Sequence, residues 1–187
     1  MHLSRRALTA AVVALPGLAL SPTTATASPA AGTPLAAKHC STRLLSAQEM
    51  ASGARSRITC FDSFAGALRA VGVNGGSPTV TPESFMANLD GTGLVAIHYS
   101  LAGGGGSSLS IAGSTCDGGG ISLPPGDPWA DTVRSTRHQA CSKIKHWTNS
   151  DYTGTEQTTN GGSYSVQNLN GSLAGHVESI KYYGPVN

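Results

Sequence analysis

Aromatic side chains are scarce here: Phe, Trp and Tyr make up 5% of 187 residues, against 24 glycines. A chain so poor in rings and so rich in glycine does not read as a large helical core. It favours many short strands joined by turns. The sequence also lacks H-E-x-x-H, G-x-S-x-G and a G-x-x-x-x-G-K-[ST] loop, and Gly103 to Gly106 has no Lys-Ser/Thr after it. No C-x-x-C pair with matching His spacing is present, which argues against structural zinc. No acid/base constellation can be named, so an enzyme is not expected.

Net charge is missing too. Arg5 and Arg6 are two of the 12 basic residues, which leaves 10 against 10 acidic residues once the leader is set aside. A neutral body gives no electrostatic case for nucleic acid or an anionic membrane. The basic group Arg134, Arg137, Lys143 and Lys145 reads as a solvated face. After the leader, no run is long and apolar enough to span a bilayer, so no membrane insertion is expected.

Residues 1–27 have the layout of a secretory signal peptide. Arg5-Arg6 precedes the apolar run Ala7 to Leu20, and Ala25-Thr26-Ala27 offers a small-residue cleavage site. A secreted, extracellular protein follows. Residues 28–39 read as a flexible lead-in. Residues 40–92 carry helical signals: a capping box at Ser46–Glu49, a stripe of Phe64, Ala67, Leu68 and Val71 capped by Asp62 or Ser63, and Thr81-Pro82 opening a further short helix. That segment is expected to be a small helical cap or pro-segment. Residues 93–187 change texture, with β-prone pieces at 95–99, 108–111, 132–136, 143–147, 163–166 and 178–183. GGGGS, DGGG, PPGDP, NGG and NGS read as turns between them.

Cys40, Cys60, Cys116 and Cys141 all lie in the exported part, and an even count outside the cell implies two disulfides. Three pairings are open. The local one, Cys40–Cys60 with Cys116–Cys141, is the expectation because each bond then staples one unit. Closing a loop of roughly 20–25 residues stabilises a fold by about 3 kcal/mol in the chain-entropy picture.

The stretch IKHWTNSDYTGTEQTT, starting at Ile144, sets Trp147, Tyr152 and Gly154 in a polar context. It repeats AIHYSLAGGGGSSLSI, starting at Ala96, with Tyr99 over Trp147 and Gly106 over Gly154. Farther on, TVRSTR and HVESIK place Ser135 over Ser179. The period is about 44–48 residues, which marks an internal repeat. The pattern resembles the βγ-crystallin-type Greek key: an aromatic, four residues, an aromatic, one residue, Gly, and later a Ser. The second unit matches through Trp147, Tyr152, Gly154 and Ser179. The first keeps Tyr99, Gly106 and Ser135 but has Gly104 at the second aromatic position. The resemblance implies a mainly β chain in which two crystallin-type Greek keys form a β-sandwich, preceded by the small helical segment. It also implies that the glycine bends the first hairpin over the sheet and the serine hydroxyl pins it.

In many such domains a pair of Asp/Asn residues and the Ser supply half of each calcium site. Here only Asp131 remains of the acidic pairs, and Arg134 puts a positive charge where an oxygen belongs. A hard cation needs six to eight oxygens, so no metal or other cofactor is expected. His138 and His146 could approach Asp131 or Asp151, but a packing role is the simpler reading.

Small exported bacterial proteins of this fold include metalloproteinase inhibitors, which this sequence resembles in signal peptide, cysteine count and double Greek key. The resemblance implies a secreted, non-enzymatic proteinase inhibitor whose partner is an extracellular protease. In CDGGGISLPPGDPW (116–129), Ile121, Leu123, Pro124 and Pro125 are the candidate inhibitory residues, since prolines fix a loop before it docks. Two other classes stand beside it. One is a structural or stress-protective extracellular protein. The other is a cell-wall-binding or toxin-like module, which needs Trp129, Trp147, Tyr182 and Tyr183 exposed. Oligomeric state is not legible.

Overall fold

The structure is a computed structural model and describes residues 38–74, 77–85, 93–114, 116–162 and 164–185. The leader at 1–27 and the lead-in up to residue 37 lie outside these. The lead-in ends inside a strand, since β1 spans His39–Arg43. Helix α1 (Ala47–Ala51) follows, with the Ser46–Glu49 capping box formed in both directions. Then come β2 (Thr59–Phe61) and helix α2 (Phe64–Ala70), whose N-cap is Ser63. Thr81 caps only a single turn, closed by the Phe85 N–H to the Thr81 carbonyl. The rest of the helix expected there falls on 86–92, outside the described residues.

The first repeat unit supplies β3 (Leu94–Tyr99), β4 (Ser108–Ala112), β5 (Asp117–Ser122) and β6 (Ser135–His138). The second supplies β7 (Cys141–Trp147), β8 (Glu156–Asn160), β9 (Val166–Asn168) and β10 (Ser179–Pro185). One sheet runs β2-β1-β4-β3-β6-β9, the other β5-β10-β7-β8. Each unit therefore lends its third strand to the other unit's sheet: β5 pairs with β10, and β9 with β6. Two Greek keys interlocked in this way form a β-sandwich.

The segment expected to be a helical cap is only partly helical. Cys40 pairs in register with Cys60 in the β1–β2 hairpin, and β1 lies parallel to β4 from His39–Ser108 to Arg43–Ala112. The strand escapes a sequence reading because HCSTR has no apolar alternation, while the helix-patterned stripes beside it are strong. Its inward residue Cys40 joins the inter-sheet core. Helix α2 instead packs Phe64 and Leu68 on the outer face of the large sheet, against Ile97 and Tyr99. Covered on both faces, β3 is buried at all six positions, which explains its nearly unbroken apolar run.

DGGG at 117–120 is strand, not turn. A β-carbon on Gly119 would sit 2.2 Å from the Leu45 carbonyl oxygen, and Gly120 N–H donates to that oxygen at 3.0 Å. The glycines let the chain at 44–46 close the free edge of β5, which would otherwise offer unpaired amides to another chain. The two disulfides are Cys40–Cys60 and Cys116–Cys141. The two disulfides are consistent with an extracellular setting. No described helix is long and apolar enough to cross a membrane.

Gly119→Ala is expected to destabilise the chain by about 1–3 kcal/mol through overpacking against Leu45. Urea denaturation measures it; a midpoint within error of wild type would show that the 44–46 segment is not seated on β5.

Candidate functional site

The two bent hairpins are built alike. In the second unit Tyr152 N–H donates to Ser179 Oγ at 3.2 Å, and that hydroxyl donates to the Asn149 carbonyl at 2.6 Å. In the first unit Gly104 N–H donates to Ser135 Oγ at 3.1 Å, and Ser135 donates to the Leu101 carbonyl at 2.7 Å. A second hydroxyl closes each bend from inside. Ser100 Oγ accepts from Ser107 N–H at 2.8 Å, and Thr148 Oγ1 accepts from Thr155 N–H at 3.0 Å.

This geometry explains the irregular first motif. Gly104 and Tyr152 both occupy the left-handed region, with φ of 86° and 65°. The position demands that conformation, which glycine adopts freely and tyrosine only with strain. Tyr152 offsets its strain with ring contacts. It meets Trp147 edge to face at 5.8 Å, and the Lys181 ammonium lies 4.5 Å above its ring. Gly106 and Gly154 are left-handed as well, with φ of 79° and 82°, and space is also short: a β-carbon would lie 2.4 Å from Ser100 Oγ and 2.4 Å from Thr148 Oγ1 respectively. Tyr99 and Trp147 lie buried under the two bends. Burial pushes the Tyr99 and Tyr152 hydroxyls up to about 12, so both stay protonated. Ser100 and Thr148 were not read from the sequence, where an i, i+7 hydroxyl-to-amide relation was the available signal.

The candidate inhibitory loop is placed differently from its expectation. Ile121 and Leu123 are fully buried and belong to the inter-sheet core, as does Trp129. The physical reason is strand alternation: Ile121 lies on β5, with its side chain turned away from solvent. Pro124 is half-buried, and Pro125 begins a short exposed turn. Asp127 shapes that turn. Its N–H donates to the Pro124 carbonyl at 2.9 Å, while its carboxylate accepts from Trp129 N–H at 2.8 Å.

The remaining candidates do not gather. Arg137, expected on a solvated basic face, is buried and donates to the Pro82 carbonyl at 2.6 Å. His138 and His146 are fully buried and meet neither Asp131 nor Asp151. Asp131 and Gly175 take positive φ at matching places in the two units, where calcium half-sites would lie. Among the described residues no three His, Cys, Asp or Glu side chains are placed together to hold a metal. Trp129, Trp147 and Tyr182 are buried, leaving Tyr183 alone half-exposed, so these rings form no platform for a glycan. A cleft of about 410 Å³ opens beside Arg43, Leu44, Val71 and Gly113. Its charges face each other: Arg43 holds the Glu49 carboxyl down to about 2, helped by the Ser46 amide.

Ser179→Ala removes a donor and an acceptor, so a loss of about 1–3 kcal/mol is expected. Ser179→Thr should recover part of it. Thermal unfolding of both variants tests the pin, and a Ser179→Ala protein as stable as wild type would refute it.

No family model matches the chain, and no curated protein matches it. Solved structures do. A βγ-crystallin domain from Clostridium beijerinckii is 18% identical with a TM-score of 0.38, covering 48% of this chain and 97% of that one. A structure described under the evolution of the eye lens βγ-crystallin domain fold is 14% identical, with a TM-score of 0.37, over 48% of this chain and 83% of that one. A βγ-crystallin from an archaeon is 17% identical, with a TM-score of 0.34, over 48% of this chain and 96% of that one. The chain itself folds as two pinned Greek keys closed into one sandwich.

Proposed function

We propose that this is a secreted, non-enzymatic protein whose function rests on persistence outside the cell: a structural or stress-protective body. The observation that carries the reading is where the distinctive side chains go. Ser135 and Ser179 are spent on pinning hairpins, and Ile121, Leu123, Trp129 and Tyr182 on the core. Two disulfides and a covered sheet edge raise the cost of local opening, which is the step a protease needs.

Proteinase inhibition is the second reading, moved to a different set of atoms. The exposed turn from Pro125 to Pro128 is held between buried Leu123 and Trp129 and shaped internally by Asp127. Such a turn needs little ordering before it enters a cleft. It lacks the apolar anchor that Ile121 or Leu123 would have supplied, and that ranks it second.

The two readings part in one experiment. The secreted chain is incubated with an extracellular metalloprotease and a subtilisin-type protease while its integrity and the proteases' activity are followed. The first reading expects an intact chain with full protease activity; rapid digestion would sink it. Stoichiometric loss of activity, abolished when 124–128 is replaced by a Gly/Ser linker, would instead establish the second.

A further inference from the structure

The interior between the sheets is not uniformly apolar. His98 on β3 and His138 on β6 point inward from the large sheet and His146 on β7 from the small one, all fully buried. The His98 and His146 rings meet edge to face, with centroids 5.7 Å apart. His98 bridges the sheets: its Nε2 lies 2.7 Å from the Tyr182 hydroxyl on β10, and its Nδ1 2.9 Å from the Thr136 hydroxyl on β6. His138 places Nδ1 at 2.9 Å from the Cys141 carbonyl and Nε2 at 3.1 Å from the Thr159 hydroxyl on β8. Both ring nitrogens of His146 are buried without a hydrogen-bond partner among the described residues.

Hydrogen-bond direction separates the three rings. A carbonyl only accepts, so His138 carries its proton on Nδ1, and its neutral Nε2 accepts from Thr159. If His138 took up a second proton, Thr159 could turn to the Ile144 carbonyl, 3.2 Å away. His146 has no such alternative. The Gln157 carbonyl favours its protonated form without reaching bonding geometry, so an imidazolium there would bury two unmet donors.

No carboxylate faces this layer among the described residues. Tyr182 is the titratable group from β10, and β8 presents the neutral Gln157, opposite His146, and Thr159. Arg137, Lys143, Lys145, Glu156 and Lys181 stand at alternate positions of the same strands, on outer faces. Burial holds His146 down to about 3 and His98 well below the ordinary imidazole range, and it lowers His138 as well.

We propose that this inter-sheet layer makes the protein an acid-triggered sandwich, closed while three imidazoles stay neutral and opened as they take up protons together. In the unfolded chain a histidine titrates near 6.5, above its folded position here, so below that pH the unfolded state binds more protons. Stability from this layer is therefore complete above about pH 6.5 and is lost as pH falls.

The test is urea denaturation of the secreted, disulfide-intact chain, followed by tryptophan fluorescence between pH 7.5 and 5, above the range of free carboxylates. From pH 6 to 5 the wild-type folding constant should fall about 60- to 500-fold, as two to three imidazoles that titrate near 6.5 in the unfolded chain require. In His146→Leu the fall should be about tenfold shallower. A wild-type fall shallower than about sixtyfold, or an unchanged slope in His146→Leu, overturns the proposal. Should that variant not fold, proton uptake on unfolding of the wild type in weak buffer at pH 5.5 decides: two or more protons support it, fewer overturn it.

Discussion

A hydroxyl that both accepts from an amide and donates to a carbonyl holds this architecture in shape. Ser135 and Ser179 each do so across a bend that turns the first hairpin of a unit back over its own sheet. The bent hairpin roofs the aromatic below it, Tyr99 or Trp147, and so decides what the outer faces can offer. Once a bend opens, an amide and a carbonyl lose their partner, and a ring loses its cover. The repeated motif residues are therefore spent internally, which is why the chain can carry a strong fold signal and almost no signal of chemistry.

Exchange of third strands converts two such units into one cooperative body. β5 completes the sheet of the second unit and β9 that of the first, so neither unit closes its own core. The inner faces then meet as apolar residues around a polar layer of histidines and hydroxyls. The apolar part is generic. In the polar part His98 and His138 are hydrogen-bonded across strands, while both ring nitrogens of His146 lack a partner among the described residues.

The hairpin bends were legible because their determinants are local: Trp147, Tyr152 and Gly154 sit within one turn, and the repeat supplies the serine. The local cysteine pairing was legible for the same reason. β1 and β5 were not. HCSTR pairs with a strand far along the chain, and no short-range pattern reports a parallel, non-local partner. DGGG looked like a turn because glycine marks both a bend and a close approach of another backbone, and only the seat of Leu45 distinguishes them. Ile121 and Leu123 looked like a protruding tip for the same reason: misreading the strand before them flips their side chains outward. The histidine layer was hidden because one inward position on each of three strands carries no spacing of its own.

The place of β1 has a consequence for how the chain could mature. It lies between β2 and β4, yet its disulfide partner, Cys60, is on β2 within the same N-terminal stretch. A peptide-bond cut between α2 and β3 would thus leave two fragments with no covalent link between them. Five registered residue pairs from His39–Ser108 to Arg43–Ala112, with Cys40 and Leu44 in the common core, would keep them joined. Cleavage there would yield a nicked heterodimer rather than a shed propeptide, with the N-terminal piece retained as an integral strand.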